Sequence, residues 1–180
     1  MTFPLGPQFH DDGTVTFHLW APKCETVKLC LQDAAPQSMT SNGAGQFSLR
    51  VPATHGTRYA FELPLGERRP DPCSRFQPDG AHGQSELIDP RKLTRCDPAW
   101  QGLPKADLII YELHIGTFTD KGTYAAAIER LDELVDLGIT AIELMPLAQC
   151  GGRWNWGYDG VHLFAPQQTL GRPEELRDLI

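Results

Sequence analysis

The chain has 180 residues, 41% of them hydrophobic and 22% charged. That length can bury a sizeable core as one large domain or two small ones, and the composition excludes a disordered or fibrous chain. The formal net charge of −7 argues against nucleic acid as the main partner, because phosphate binding needs a positive face.

The opening MTFPLGPQFHDDG has neither a basic start nor an apolar run, so no secretory signal is expected. Four alternating runs follow. Val15, Phe17 and Leu19 face one way with Thr16 and His18 the other. Val27, Leu29 and Leu31 alternate with Lys28, Cys30 and Gln32. Phe47, Leu49 and Val51 repeat the pattern, as do Tyr59, Phe61 and Leu63. Period-two patterning means strands with one dry face and one wet face. Asp12-Gly13, Asn42-Gly43 and His55-Gly56 supply the turns. The runs predict a small antiparallel β-sandwich over residues 1–66.

Residues 67–106 change character. PDPCSRFQPDGAHGQSELIDPRKL is rich in proline, glycine and aspartate, which rules out a long helix or a central strand. Phe76, Leu87, Ile88 and Trp100 anchor it, so a packed connector is expected rather than a free linker. Its one basic cluster, Glu67-Arg68-Arg69, is too small for a nucleic-acid track and reads as a solvated turn.

From residue 107 the period changes again. DLIIYELHI carries apolar residues on both faces, the pattern of a buried parallel strand. TYAAAIERLDELVDLG places Tyr124, Ala127, Ile128, Leu131, Leu134 and Val135 at helical spacing, with Gly138 at the C-cap. TAIELMPL reads as a second buried strand, and GRPEELRDLI opens a helix with Pro173 in its first turn and Glu174 and Glu175 near its positive end. Residues 107–180 therefore read as strand, helix, strand, loop, helix. The last helix has only begun its apolar face, Leu176, Leu179 and Ile180, so the chain is expected to be the front of a longer protein. Self-association through unpaired strand edges is expected of the piece alone.

The chemical motifs narrow the choice. No GxSxG, Walker loop, GxGxxG or HExxH occurs. The five cysteines, Cys24, Cys30, Cys73, Cys96 and Cys150, fit no zinc spacing and read as reduced thiols of a cytoplasmic protein; no metal and no cofactor is expected. No stretch approaches the ~20 apolar residues of a membrane span. Glu112 and Glu143 stand at similar points of successive strands. Two close carboxylates suit glycoside cleavage, and burial would raise the pKa of one of them. The reading favoured here is structural, each held by a neighbouring backbone or basic group. His114, on the same face as Glu112, reads first as a hydrogen-bonded structural histidine.

The segment GGRWNWGYDGVHLFAP, residues 151–166, stands out. Tryptophan and tyrosine faces stack on the C–H faces of sugar rings, asparagine and aspartate bond their hydroxyls, and glycines allow close approach. Trp154, Asn155, Trp156, Tyr158 and Asp159 are the candidates, and the alternative is a loop that plugs the mouth of a barrel. It follows the C-terminal end of a parallel strand, the face where α/β barrels build active sites.

Together, YELHIGTF, AIELMP and NWGYDG resemble the start of the catalytic barrel in glycoside hydrolase family 13, the α-amylase clan. The PDPCSRFQPDGAHG stretch is similar to that of the clan's trehalohydrolase branch. The resemblance implies an early-set, immunoglobulin-like β-sandwich followed by the first two βα units of a (β/α)8 TIM barrel, truncated at residue 180. It implies hydrolysis of the α-1,4 bond next to the trehalose end of maltooligosyltrehalose, with retention and no cofactor. The clan's nucleophilic aspartate and acid glutamate follow later strands, so no catalytic residue is assigned here. The resemblance makes Tyr158 the residue that stacks beneath the sugar and Asp159 its acidic neighbour, with Asn155 and Trp156 completing the substrate-binding motif. Gln149, Cys150 and Trp154 depart from the usual pattern, an acidic residue, an aromatic and a basic residue. Two alternatives stay open: a branching or debranching enzyme of the clan, and a non-catalytic α-glucan-binding module, for which Trp20 is the one tryptophan on the sandwich.

Overall fold

Alternating side chains build the first unit of the structure, a computed structural model that describes residues 4–93 and 99–180. One sheet takes strands β1 (Gln8–Phe9), β2 (Thr14–Trp20), β5 (Thr40–Ser41) and β6 (Gln46–Pro52) in the order β1-β2-β6-β5. The other takes β3 (Lys28–Leu31), β4 (Gln37–Ser38), β7 (Arg58–Glu62) and β8 (Arg68–Arg69) in the order β4-β3-β7-β8, with β9 (Ser85–Glu86) also on β7. All pairs in both sheets are antiparallel. The alternation predicts much of the inward set: Val15, Phe17 and Leu19 face Val27, Leu29, Tyr59 and Phe61 in one core, whereas Cys30 and Ala60, expected on the wet face, are buried as well. The Phe17 and Tyr59 rings meet edge to face at 5.0 Å, a favoured arrangement of their quadrupoles. Buried Met39 sits between β4 and β5, its N–H donating to the Val27 carbonyl at 2.9 Å, where the chain crosses from one sheet to the other. The predicted turn glycines Gly13, Gly43 and Gly56 all take positive φ, which costs a residue without Cβ nothing.

The second sheet draws β8 and β9 from beyond residue 66, so the proline-rich stretch contributes strands as well as packing. Phe76, Leu87 and Ile88 are buried as expected, whereas Trp100 is exposed. A buried polar knot lies under this stretch. The Tyr59 hydroxyl donates to Asp71 Oδ2 at 2.8 Å, and the Cys73 N–H donates to Oδ1 at 2.7 Å. Ser85 Oγ accepts from the Asp71 N–H at 2.9 Å and from Gln77 Nε2 at 2.7 Å. Burial pushes the Asp71 carboxyl up to about 6, against the opposing pull of the Cys73 and Tyr59 hydrogen bonds and the charge of His162.

The last unit pairs β10 (Ile110–Leu113) with β11 (Ala141–Leu144) in parallel. Between them run three short helices, α1 (Ile115–Phe118), α2 (Tyr124–Ile128) and α3 (Leu131–Asp136). The single helix that periodicity predicts is thus broken. Arg130 leaves the helical region (φ −114°, ψ 6°), and its guanidinium reaches back to the Phe118 carbonyl at 3.3 Å and lies over the Phe118 ring. Gly138 ends α3 as expected, with φ +90° and the Ile139 N–H donating to the Leu134 carbonyl at 2.9 Å.

The expected burial of both faces of these strands is not met: Ile109 and Ile110 are 55% and 56% exposed. One face packs on Leu113, Ile115, Tyr124, Ala127, Leu134 and Leu170. The other has no layer over it among the described residues.

Beyond β11 the chain makes a hairpin that hydropathy did not predict, β12 (Ala148–Gln149) antiparallel to β13 (His162–Pro166). Helix α4 (Pro173–Leu179) follows with Pro173 in its first turn, and the Glu175 carboxylate accepts from the Arg172 N–H at 2.7 Å. Arg172 also joins this unit to the sandwich. Its guanidinium donates to the buried Glu86 at 2.6 Å, beside the Arg58 contact to the same carboxylate at 2.9 Å, and covers the Phe76 ring. His162 Nε2 donates to the Ala81 carbonyl at 2.9 Å, a second tie between the units.

Candidate functional site

The aromatic loop is the connection between β12 and β13, and its ends are clamped before its tip is reached. Gln149 is fully buried. Its amide donates to the Cys150 carbonyl at 2.7 Å and accepts from the Gln168 N–H at 2.9 Å. Gln167 answers from the other side, accepting from the Cys150 N–H at 2.9 Å and donating to the Gly152 carbonyl at 3.1 Å. Primary amides fit here because each offers a donor and an acceptor to backbone that a sheet ladder no longer serves. The departures at Gln149 and Cys150 therefore sit inside the loop's base, not on an exposed face. Burial also raises the Cys150 thiol pKa.

The tip is shaped by Asn155 and two close glycines. Asn155 Oδ1 accepts from the Gly157 N–H, and its Nδ2 donates to Asp159 Oδ2 at 3.1 Å. Gly157 has φ +96°, and a Cβ there would stand 1.9 Å from the Pro146 carbonyl oxygen. A Cβ on Gly160 would stand 2.6 Å from that of Ala148. With the backbone so constrained, the aromatic side chains turn outward: Trp154, Trp156 and Tyr158 are 77%, 76% and 69% exposed. The Arg153 guanidinium lies 4.8 Å over the Trp154 ring.

One side chain from outside the loop reaches its tip. His114, at the end of β10, places Nε2 2.8 Å from the Asn155 carbonyl oxygen. Beside it opens a cavity of about 420 Å³ lined by His114, Gly116, Met145, Trp154, Asn155 and Trp156. The structure thus brings Asn155 and Trp156 to one cavity. Tyr158 and Asp159 stand on the same loop, outside that lining. A different groove of about 500 Å³ opens between the parallel pair and its helices, where Trp100, Leu108, Leu134, Ile142 and Leu179 line it; its lining is almost wholly apolar.

Glu112 and Glu143 face each other in register on the parallel pair. Both are exposed, so the burial that would make one an acid is missing. Among the described residues no cluster of histidine, cysteine or carboxylate side chains is placed to hold a metal, and no helix is long and apolar enough to cross a membrane. Cys24, Cys30, Cys73 and Cys150 are free thiols; Cys96 lies outside the described residues. Hydropathy missed the buried glutamines and the histidine tie. The paired Gln149 and Gln167 at the two ends of the aromatic segment were the one available signal.

Residues 4–90 match carbohydrate-binding module 48, the isoamylase N-terminal domain. The chain is 44% identical over 164 residues to the malto-oligosyltrehalose trehalohydrolase of Deinococcus radiodurans, covering 91% of this chain and 27% of that protein. It is 43% identical over 186 residues to the enzyme of the same name from Saccharolobus solfataricus, covering 100% of this chain and 32% of that protein. A 1,4-alpha-glucan branching enzyme of Streptomyces coelicolor is 30% identical, over 97% of this chain and 26% of its own length. Among solved structures, a putative alpha amylase from Salmonella typhimurium superposes with a TM-score of 0.94 at 41% identity, covering 100% of this chain and 31% of that one. A pullulanase from Anoxybacillus sp. LM18-11, solved with maltotriose, gives 0.79 at 25% identity, over 95% of this chain and 30% of that one. The chain spans less than a third of the length of each of these relatives. The resemblance to the trehalohydrolases of the α-amylase clan, first carried by the motifs, extends over the whole sequence.

Proposed function

We propose, from that resemblance, that the chain is the N-terminal part of an α-glucan hydrolase that cuts the α-1,4 bond next to the trehalose end of maltooligosyltrehalose. In this reading the β10–β11 unit with its helices begins a (β/α)8 barrel, and the loop is one wall of the sugar pocket. The observation that carries it is the loop itself: a backbone clamped at its base and tip, with the Trp154, Trp156 and Tyr158 faces turned to solvent and the two indoles lining a cavity of about 420 Å³. A sugar ring offers such faces an apolar C–H side and a rim of hydroxyls. Tyr158 stacks on the ring, Trp156 widens the platform, and Asp159, steadied by Asn155, takes hydroxyl hydrogen bonds. Cleavage with retention needs a carboxylate nucleophile and a carboxylic acid. The exposed Glu112 and Glu143 do not supply that pair, so the chain alone binds without cutting.

Calorimetric titration with maltooligosyltrehalose and with maltotetraose tests this. Tyr158→Ala is expected to weaken binding about tenfold, roughly 1.4 kcal/mol, and no trehalose should be released on long incubation. Unaltered affinity in Tyr158→Ala removes the stacking role. The similarity to a branching enzyme supports a second reading, in which unmodified maltooligosaccharide is held as well as the trehalose-ended one. The match to a carbohydrate-binding module and the exposed Trp20 support a third, in which Trp20→Ala rather than Tyr158→Ala abolishes the heat.

A further inference from the structure

We infer that His114 is a positioning residue for the aromatic loop, fixing the Asn155 carbonyl and through it the spacing of Trp154 and Trp156. The functional meaning rests on the sugar-pocket reading above; the mechanical role does not. A carbonyl oxygen only accepts, so the 2.8 Å contact with Asn155 requires that His114 Nε2 carry the proton. The other ring nitrogen, Nδ1, is buried and has no hydrogen-bond partner among the described residues. A buried acceptor without a donor costs free energy, and the ring is held in that pose by its neighbours. It lies against Gly116, where an added Cβ would meet His114 Cε1 at 2.7 Å and Nδ1 at 3.1 Å.

The geometry is economical. His114 directly follows β10 and holds the N-cap position of α1, its carbonyl accepting from the Thr117 and Phe118 N–H groups at 3.0 Å each, so its backbone is fixed between strand and helix. Its ring then spans 41 residues of sequence to the tip of the loop. The loop's other clamps, Gln149 and Gln167, act only at its base. Without the imidazole, the Asn155 carbonyl turns to water, and the Asn155 bonds to Gly157 and Asp159 no longer rest on an outside anchor. The imidazole also walls the same cavity as Trp154 and Trp156, so its loss opens the cavity floor at the same time.

Hydrogen exchange on the chain without sugar is the test. His114→Ala is expected to speed exchange of the loop amides, residues 155–161, at least tenfold, while the β2–β6 amides stay unchanged. His114→Gln, whose amide can still donate, is expected to restore much of the protection. Gly116→Ala, which keeps the imidazole but displaces it, should reproduce the Ala result. Equal loop exchange in wild type and His114→Ala overturns the inference. Should the substitution loosen the whole unit, the ring-nitrogen shifts of His114 in the unaltered chain still decide: a proton on Nδ1 and none on Nε2 refutes the geometry. Faster loop exchange in a chain whose wild type binds no glucan keeps the positioning role and rejects the sugar pocket.

Discussion

Gly157 shows how little room the loop leaves for change. Its φ of +96° and the 1.9 Å that would separate a Cβ from the Pro146 oxygen forbid a side chain twice over. Strain of this kind costs about 1–3 kcal/mol before any clash is counted. Gly157→Ala is therefore expected to abolish glucan binding while leaving the sandwich intact, seen as lost heat in calorimetry with an unchanged β-sheet circular dichroism band. Retained binding would mean that the tip is softer than its geometry. Asp71 offers a second residue-scale test. Its carboxyl, raised from 3.8 to about 6 by burial, binds a proton more tightly folded than unfolded. The contribution is present below about pH 4 and is lost as pH rises to about 6, a difference on the order of 3 kcal/mol. Urea unfolding across that window should show stability falling with pH in the wild type and much less in Asp71→Asn. Parallel slopes in the two proteins would dismiss Asp71 as the source. Neither residue stands out in the sequence: Gly157 is one of several loop glycines, and Asp71 is one aspartate of a proline-rich stretch. Their roles depend on Pro146 and Tyr59, which lie eleven and twelve residues away along the chain.

Among the elements, the sandwich strands were legible because one face is dry and one wet, so burial writes itself into alternation. The α2–α3 region was only half legible. Tyr124, Ala127 and Leu134 are buried as their spacing required, but the same period cannot register a backbone break at Arg130, whose guanidinium reaches the Phe118 carbonyl. The β12–β13 hairpin was invisible because its strands carry glutamine and histidine inward, satisfied by backbone groups rather than by hydrophobic neighbours. At the junction of elements, Arg172 binds the buried Glu86 from the turn before α4. Removing one partner of a buried ion pair leaves charge uncompensated. Arg58 still holds Glu86, so Arg172→Ala is expected to cost about 2 kcal/mol rather than the full value for an orphaned charge. Thermal unfolding should show a lower midpoint, and Glu86→Gln combined with it should cost less than the two changes summed. Strict additivity would argue that the two side chains do not act together.

For the whole molecule, the incomplete cover of the parallel pair dominates. Ile109, Ile110 and Ile142 are exposed, and an apolar groove of about 500 Å³ lined by Ile142 opens between the pair and its helices. Two-stranded sheets also leave hydrogen-bonding edges unpaired. Sedimentation of the 180-residue chain should therefore depend on concentration, and Ile110→Lys should reduce the association without altering the sandwich. A single sedimenting species at all concentrations would contradict it. The periodicity of DLIIYELHI announced a strand that expects cover on both sides; the structure shows which side has it.

The exposure of the indoles has an optical consequence. All four tryptophans, Trp20, Trp100, Trp154 and Trp156, are at least 64% exposed, so the native chain already emits as water-bathed indole. Denaturant can move that emission only slightly, and fluorescence will under-report unfolding. The same silence makes it a clean reporter of ligand: a blue shift on adding glucan can arise only where water leaves an indole face. Folding is better followed through Tyr59 and Tyr124, which are wholly buried and whose ultraviolet absorbance changes when the core opens.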